Sequence, residues 1–202
     1  MGYSISNHRL KKDGAAVPWK ESPNHGGKLK PRFLIMHYTA GTSASGAISW
    51  LTNPKAKASA HLVIDRNGAV TQLVGFDTVA WHAGKSSWNG LVGLNSWSIG
   101  IELVNAGKLW KKGGGKWVNW AGNVVSEDDL IEATHKHETS PAGWQIYPEP
   151  QLAAAIEIGR ALHDAYDFDE VLGHEDISPK NKIDTGPAFP MISFVARVMG
   201  GA

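Results

Sequence analysis

Histidine, lysine and aspartate side chains lie at the ends of short apolar runs in this chain. His37 follows the apolar run 33–36, and His174, Lys182 and Asp184 lie close together after a later one. Imidazole and carboxylate are the ligands that catalytic zinc takes where thiolates are absent, with water in the remaining position, and the sequence contains no cysteine. The first hypothesis is therefore a metal-activated water.

Residue types and spacing alone leave a structural role open. A histidine at a strand end, such as His37, is more often a hydrogen-bonded structural residue than a metal ligand. His174 and Asp184 are separated by Pro179 in a segment that also contains Gly186, which suits a loop that folds back to bring both to one ion. The same segment also fits a solvated loop of charged residues. On spacing alone, that alternative stays slightly ahead.

Several segments have the periodicity of strands that would carry these side chains. Residues 33–38 form an apolar run short enough for a buried central strand. Residues 61–65 and 69–74 flank an Asn-Gly pair, which is the strongest short-range signal for a hairpin. Residues 97–104 alternate in polarity, so Glu102 is expected to face opposite to the apolar set.

Helical patterns separate these strands. Thr42 or Ser43 is expected to cap a short helix, and residues 152–162 carry an apolar stripe at helical spacing. Residues 170–172 predict a short strand before His174, and residues 191–199 predict a closing amphipathic helix. The alternation indicates an α/β domain with a mixed central β-sheet flanked by helices.

Two segments lack clear periodicity. Residues 1–30 are rich in Lys, Gly, Pro and Asn and are interpreted as an extended N-terminal arm that precedes the main domain at 31–202. Residues 105–150 form a Gly- and Trp-rich insertion, which we interpret as an elaborated surface loop with one short helix starting at Ser126.

Composition limits the classes of partner. The chain has 202 residues, 42% hydrophobic and 19% charged, and a formal net charge of +1, so it suits one domain with a substantial core. Nearly balanced charge selects neither nucleic acid nor an anionic membrane as partner. The first residues lack the apolar core of a secretory signal, and no run suits a membrane span. The expected location is the cytoplasm, and the expected state is a monomer.

Five segments together carry a recognisable pattern across roughly residues 32 to 190. They are Ile35-Met-His-Tyr-Thr-Ala, Ser59-Ala-His-Leu-Val-Ile-Asp-Arg-Asn-Gly, Ala80-Trp-His-Ala-Gly, Asn95-Ser-Trp-Ser-Ile-Gly-Ile-Glu-Leu, and Gly173-His-Glu-Asp-Ile-Ser-Pro-Lys-Asn-Lys-Ile-Asp-Thr-Gly-Pro-Ala-Phe. In type and order they resemble the motifs of the zinc-dependent N-acetylmuramoyl-L-alanine amidases of the type 2 family. That family is related to phage amidase lysozymes and to peptidoglycan recognition proteins, whose single-domain fold the resemblance implies here.

The resemblance implies a role for each reactive residue. His37, His174 and Asp184 would hold one Zn²⁺ per chain, Glu102 occupies the position of the general base, and Lys182 matches the lysine taken to stabilise the oxyanion. The implied reaction is hydrolysis of the amide between the lactyl group of N-acetylmuramic acid and the L-alanine of the stem peptide. The partner would be peptidoglycan or a muropeptide.

Aromatic and polar residues of the same motifs are expected to contact the substrate, since tryptophan faces pack on sugar rings and peptides. They are Trp81, His82, Trp88 and Asn95. His61 and His82 are interpreted as packing or hydrogen-bonding residues beside the metal and not as ligands.

The other tryptophans divide into two groups. Trp50 and Trp97 are expected to fill the core. Trp110, Trp117 and Trp120 belong to the insertion. Two roles stay open for these three residues: they could form a rim on the substrate groove, or they could cover the insertion itself.

Two departures from the family pattern affect the expectations. The family usually has Asp-Pro-Gly where this chain has residues 184–186 as Asp-Thr-Gly, and threonine lacks the fixed φ of proline. The loop carrying Asp184 is therefore expected to be less rigid. Recycling relatives have an arginine shortly before the asparagine of the fourth motif, and that arginine is thought to bind the diaminopimelate carboxylate. This chain has Gly93 and Leu94 in that stretch. Either the stem-peptide carboxylate is bound by other residues, or the substrate is another muropeptide or the polymeric wall.

Three function classes compete at this stage. The first is a zinc amidase, either a muropeptide-recycling enzyme or a phage-type lysin released to the wall. The second is a non-catalytic peptidoglycan-binding module of the same fold, and the retention of all five reactive residues argues against it. The third is a metallohydrolase acting on another amide, which the sequence excludes only weakly.

Overall fold

The computed structural model describes residues 2–200. Its strands, in chain order, are β1 Tyr3–Ser6, β2 Arg9–Lys12, β3 Ala15–Ala16, β4 His25–Lys28, β5 Phe33–Tyr38, β6 Leu62–Ile64, β7 Val70–Gln72, β8 Thr78–Ala80, β9 Ser87–Trp88, β10 Leu91–Val92, β11 Ser98–Leu103, β12 Lys108–Lys111, β13 Trp117–Val118, β14 Val124–Val125, β15 Leu130–Thr134, β16 Pro141–Gln145 and β17 Glu170–Gly173. The α-helices are α1 Ala44–Leu51, α2 Glu149–Tyr166, α3 His174–Ile177 and α4 Met191–Met199. Short 3₁₀ helices cover Pro54–Ala56, Leu94–Ser96 and Glu127–Asp129.

The central sheet has the strand order β17-β5-β11-β6-β7. Its first four strands are parallel, and β7 pairs antiparallel with β6. This is the predicted mixed sheet, and the predicted hairpin is confirmed. Because the parallel strands end at the same edge, residues at their carboxyl ends meet there.

The two faces of the central sheet have different neighbours. Leu34, Met36 and Ile101 point into the main hydrophobic cluster, which includes residues of α2 and α4 such as Ile158 and Phe194. These helices are those predicted from the apolar stripes. On the opposite face, Phe33 and Ile35 of β5 belong to a smaller hydrophobic cluster, and His37 lies at the carboxyl end of the same strand.

The helix after β5 also agrees with its prediction. Ser43 is the N-cap of α1, and its side chain accepts a hydrogen bond from the Gly46 amide, which satisfies one of the free donors at a helix start. Within residues 2–200, none of the helices is both long and apolar enough to span a bilayer.

Residues 1–30 differ from the predicted extended arm. Strands β1, β2 and β3 form an antiparallel sheet, and β4 pairs with β8. Leu10, Val17 and Leu29 are buried in the same cluster as the central sheet. The Gln72 side chain accepts a hydrogen bond from the Leu10 amide. Three isolated apolar residues give no periodicity, so the sequence pattern did not reveal this packing.

Residues 105–150 also differ from their prediction as a surface loop. Strands β12 to β16 form a second, antiparallel sheet with the order β14-β13-β12-β16-β15, called the insertion sheet below. It has its own small hydrophobic cluster, which includes Leu109, Trp117 and Val125. The predicted short helix is present as a 3₁₀ turn, and the Ser126 side chain caps it by accepting from the Asp128 amide.

Candidate metal centre and active site

Three predicted ligands meet at the carboxyl edge of the central sheet. His37 lies near the end of β5, His174 follows β17, and Asp184 lies on the next loop. The His37 Nδ1 atom is 3.0 Å from His174 Nδ1 and 3.1 Å from Asp184 Oδ2, and the His174 Nδ1 to Asp184 Oδ2 distance is 3.0 Å. All three residues are buried. Donors this close fit one ion at the usual zinc bond length of about 2.0–2.1 Å.

Hydrogen bonds orient both imidazole rings. His37 Nε2 is 2.9 Å from His82 Nδ1, and His174 Nε2 is 3.2 Å from the Ala83 carbonyl oxygen. His82 Nε2 is in turn 3.3 Å from the Ser98 carbonyl oxygen. If each Nε2–H donates along these contacts, both Nδ1 lone pairs stay free for a metal, an arrangement common around metal-binding histidines. His82 is a hydrogen-bonding residue beside the site, as one interpretation of its motif predicted.

The segment that supplies these acceptors is fixed through its own backbone. Asn95 Oδ1 accepts from the amides of His82, at 2.9 Å, and Ala83, at 2.6 Å. Ser59 Oγ accepts from the Trp81 amide at 2.8 Å. The predicted substrate contact by Asn95 is thus corrected: its side-chain oxygen is used to hold the residues that orient the ligands.

A glycine and a further histidine complete this support. A Cβ atom on Gly100 would lie 2.4 Å from the His82 ring, so only glycine lets that ring rest against β11. His61 Nδ1 accepts from the Gly100 amide, and its Nε2 donates to the Thr78 carbonyl oxygen, both at 3.0 Å. Burial lowers the pKa of His61 to about 4. His61 is therefore a neutral hydrogen-bonding residue, as predicted.

Protonation states in the centre match those that a metal requires. Burial, followed by the neighbouring His174, lowers the pKa of His37 to about 4. Burial alone would raise the pKa of Asp184, but the adjacent His174 and His37 rings hold it well below the usual range. At neutral pH the site therefore offers a neutral His37 imidazole and an ionised carboxylate, which are the ligand forms that bind metal.

Glu102 lies on the same face of the sheet as the ligands. It is the register partner of His37 on the adjacent strand, while its strand neighbours Ile101 and Leu103 face the main cluster, as predicted. Its Oε2 atom is buried and has no hydrogen-bond partner among residues 2–200. Burial and the nearby Asp184 carboxylate raise the pKa of Glu102 to about 8, against the opposing effect of Lys182.

Lys182 follows the short turn after α3, in which its amide donates to the Ser178 carbonyl oxygen at 3.0 Å. Lys182 is exposed, and it lines the same cleft as His37 and Glu102. The cleft has a volume of about 720 Å³.

Three exposed tryptophans line this cleft. Trp81 is 37% exposed, Trp50 is 59% exposed and Trp120 is 73% exposed. The Trp120 indole N–H donates to the Ala40 carbonyl oxygen at 2.8 Å, which holds the insertion against the loop after β5. The prediction that Trp50 belongs to the core is wrong, because α1 directs it into the cleft. Of the two roles left open for Trp120, the structure favours the rim of the groove.

Trp88 does not reach the cleft. Its indole N–H donates to Glu170 Oε1 at 2.9 Å, and its ring, like that of Trp97, packs against a small cluster that includes Phe33 and Ile35 of β5. The predicted substrate contact by Trp88 is corrected on this ground. Trp117 is buried inside the insertion sheet, and Trp110 is exposed beside a separate cavity.

The structure also adds residues that the sequence pattern did not single out. Glu175 and Tyr147 hold the loop that carries Asp184: the Glu175 amide donates to the Asp184 carbonyl oxygen and the Tyr147 hydroxyl donates to that of Thr185, both at 2.8 Å. Only the position of Glu175 beside His174 in the sequence hinted at such a role.

Comparison with known proteins gives this site a family. Residues 27–187 match the family described as N-acetylmuramoyl-L-alanine amidase. The N-acetylmuramoyl-L-alanine amidase AmiD of Escherichia coli K12 is 32% identical over 168 residues, which cover 79% of this chain and 50% of AmiD. The 1,6-anhydro-N-acetylmuramyl-L-alanine amidase AmpD of the same strain is 35% identical over 140 residues, which cover 68% of this chain and 57% of AmpD. The matched region thus spans between half and six tenths of these relatives.

Solved structures share the fold. A crystal structure of a selenomethionine derivative of AmpD superposes with a TM-score of 0.68 at 24% identity, covering 96% of this chain and 98% of that one. E. coli AmiD, in complex with anhydro-N-acetylmuramic acid-L-Ala-D-gamma-Glu-L-Lys, gives a TM-score of 0.63 at 26% identity, covering 97% of this chain and 65% of that one. The predicted single α/β domain is confirmed, and the chain belongs to the N-acetylmuramoyl-L-alanine amidase family.

Proposed function

We propose that this protein is a zinc-dependent N-acetylmuramoyl-L-alanine amidase. It hydrolyses the amide bond between the lactyl group of N-acetylmuramic acid and the L-alanine of the stem peptide. The observation that carries the proposal is the buried trio of His37, His174 and Asp184, whose donor atoms lie 3.0–3.1 Å apart at the base of a cleft.

The donor set suits one Zn²⁺ per chain. Two imidazole nitrogens and one carboxylate oxygen are a common zinc ligand set, and three protein ligands leave a position open for chemistry. When bound, zinc supplies a Lewis acid that polarises the scissile carbonyl and acidifies a bound water. The hydrogen bonds from His37 Nε2 and His174 Nε2 keep the other ring nitrogen of each histidine available to the ion.

The chain's own side chains carry the proton and charge steps. A cation bound beside Glu102 would favour its ionised form, and this carboxylate, next to His37 on the sheet, takes a proton from the attacking water and returns it to the leaving amine of L-alanine. The Lys182 ammonium, exposed in the same cleft, stabilises the oxygen on which negative charge develops. Trp50, Trp81 and Trp120 present apolar faces against which the sugar and peptide of the substrate pack.

The relatives support a substrate derived from peptidoglycan. The AmiD structure holds an anhydromuramyl tripeptide, which supports a muropeptide or a peptidoglycan strand as the substrate here. A cleft of about 720 Å³ lined by three tryptophans has room for a sugar together with the first residues of a stem peptide. A monomeric state and a cytoplasmic location stay predictions.

Product analysis tests the proposal. The zinc-loaded chain is incubated separately with a soluble anhydromuramyl tripeptide and with purified sacculi, and new L-alanine amino termini are counted. We expect release from at least one substrate, loss of release in His37→Ala, and normal release in the control His25→Ala, which changes an exposed histidine outside the cleft. Binding of either substrate without release would favour the non-catalytic binding module instead.

A further inference from the structure

Glu175 lies beside the metal centre, yet it is neither a ligand nor part of the cleft. It follows His174 directly and is 5% exposed. Its amide donates to the Asp184 carbonyl oxygen at 2.8 Å, and its Oε2 atom accepts from the Gly186 amide at 2.9 Å. Glu175 therefore holds the backbone on both sides of Thr185, the residue that follows the proposed ligand Asp184.

The other partners of Glu175 come from the insertion sheet. His135, directly after β15, is 2% exposed and places Nε2 2.8 Å from Glu175 Oε2. His135 Nδ1 accepts from the His137 amide, so Nε2 carries the proton and donates it to Glu175. Lys136 Nζ is 3.1 Å from Glu175 Oε1, and His137 Nε2 donates to the Glu175 carbonyl oxygen at 3.2 Å. Three consecutive residues thus converge on one buried glutamate.

Packing contacts join the same two segments. The Trp144 ring of β16 stacks on His135, with centroids 5.6 Å apart and an interplanar angle of 24°. Gly186 has φ of +74°, and a Cβ atom there would lie 2.6 Å from the Trp144 ring. The Tyr147 hydroxyl donates to the Thr185 carbonyl oxygen at 2.8 Å. Each residue from 184 to 186 is therefore held by Glu175, by Trp144 or by Tyr147.

We infer that His135 and Glu175 are positioning residues through which the insertion sheet sets the metal affinity of the site. The His135 N–H and the Glu175 carboxylate hold the Asp184 loop so that its carboxylate faces His37 and His174. This role gives the insertion a function in the centre itself, beyond the cleft wall formed by Trp120. The inference rests on the proposed metal site, but not on the amidase reaction.

Zinc affinity is the decisive measurement. The zinc dissociation constant of the full chain is measured by competition with a chromophoric chelator, for wild type, Glu175→Gln, His135→Phe and His135→Gln. Phenylalanine keeps an aromatic face for Trp144 but has no donor, whereas glutamine keeps a side-chain N–H. We expect His135→Phe and Glu175→Gln to weaken zinc binding by about 10- to 100-fold, the usual effect of removing a hydrogen bond that orients a metal ligand. His135→Gln should recover most of that loss.

A matched control lies on the same sheet. Glu132 is on β15 and pairs with Lys111 at the surface, where both side chains are more than half exposed, so Glu132→Gln should leave zinc affinity unchanged. Circular dichroism and thermal melting of the metal-free proteins confirm that each variant is folded. If His135→Phe is unfolded, the zinc affinities of Glu175→Gln and His135→Gln relative to wild type test the inference instead.

The outcomes separate the inference from the proposed function. Folded Glu175→Gln and His135→Phe proteins that bind zinc within twofold of wild type would overturn the inference and leave the amidase proposal standing. A wild type that binds zinc tightly and loses affinity in these variants, but cleaves no substrate, would support the inference and refute the amidase. A wild type without zinc affinity would refute both.

Discussion

Glu102 and His37 are register partners on the adjacent parallel strands β11 and β5. Paired residues on neighbouring strands project from the same face of a sheet, so Glu102 stands beside a proposed metal ligand and outside the trio of His37, His174 and Asp184. The register of two parallel strands therefore places one carboxylate beside the proposed ion site.

Glu102→Gln should separate metal binding from turnover. Glutamine keeps the size of the side chain but cannot accept the proton of the attacking water. We expect kcat to fall by roughly 100-fold or more, the scale for loss of a general base. Zinc content, measured by atomic emission, should remain one ion per chain. A variant that loses zinc would mean that Glu102 is a ligand.

The same residue should make the metal-free protein sensitive to pH. In the folded chain the pKa of Glu102 is raised to about 8 from an ordinary value of 4.5. Between these values the unfolded chain loses the proton and the folded chain keeps it, so stability falls as pH rises. The effect is at most about 1.4 kcal/mol per pH unit. Metal-free Glu102→Gln should therefore melt above wild type at pH 8 and together with it at pH 4.5. Equal melting temperatures at both pH values would contradict the raised pKa.

Gly100→Ala should damage the metal centre from a position that contacts no metal. The added methyl group would meet the His82 ring at 2.4 Å and displace the partner of His37 Nε2. We expect zinc affinity to fall by about 10- to 100-fold, as for other losses of ligand orientation. Gly27→Ala is the matched control, because a Cβ atom there has no neighbour within 4 Å. If both variants bind zinc as wild type does, His82 does not orient His37.

Trp120→Ala should weaken substrate binding more than chemistry. Trp120 is 73% exposed at the rim of the cleft, and its indole N–H is already used by the Ala40 carbonyl oxygen. Its ring is therefore held in place with apolar surface free for substrate. Loss of one aromatic contact of about 1 kcal/mol predicts a KM roughly fivefold higher with kcat nearly unchanged. Trp110→Ala removes an exposed tryptophan of the same insertion outside the cleft and should leave both constants as they are.

Local patterns were sufficient for the elements that hold the reactive residues. The apolar run before His37, the Asn-Gly hairpin and the alternation around Glu102 each correspond to an observed strand. Such patterns succeed because the side-chain period of a strand and the φ demands of a tight turn are encoded by neighbouring residues. The family motifs then assigned the ligands, which spacing alone left undecided.

Long-range contacts were outside the reach of those patterns. Asn95 and Trp88 were expected at the substrate, but Asn95 holds the backbone of His82 and Trp88 binds Glu170. Trp50 was expected in the core and instead lines the cleft. In each case the residue type suits several environments, and the choice depends on which distant segment packs against it.

The sequence by itself determined that this chain is an α/β protein with two histidines, an aspartate, a glutamate and a lysine of the amidase pattern. Only the tertiary structure decided what supports them. His82 and Ala83 orient the two histidines, and the insertion sheet reaches Glu175 beside the Asp184 loop. The physical reason is that ligand identity depends on side-chain chemistry, which is local, whereas ligand orientation depends on hydrogen bonds between segments far apart in the chain.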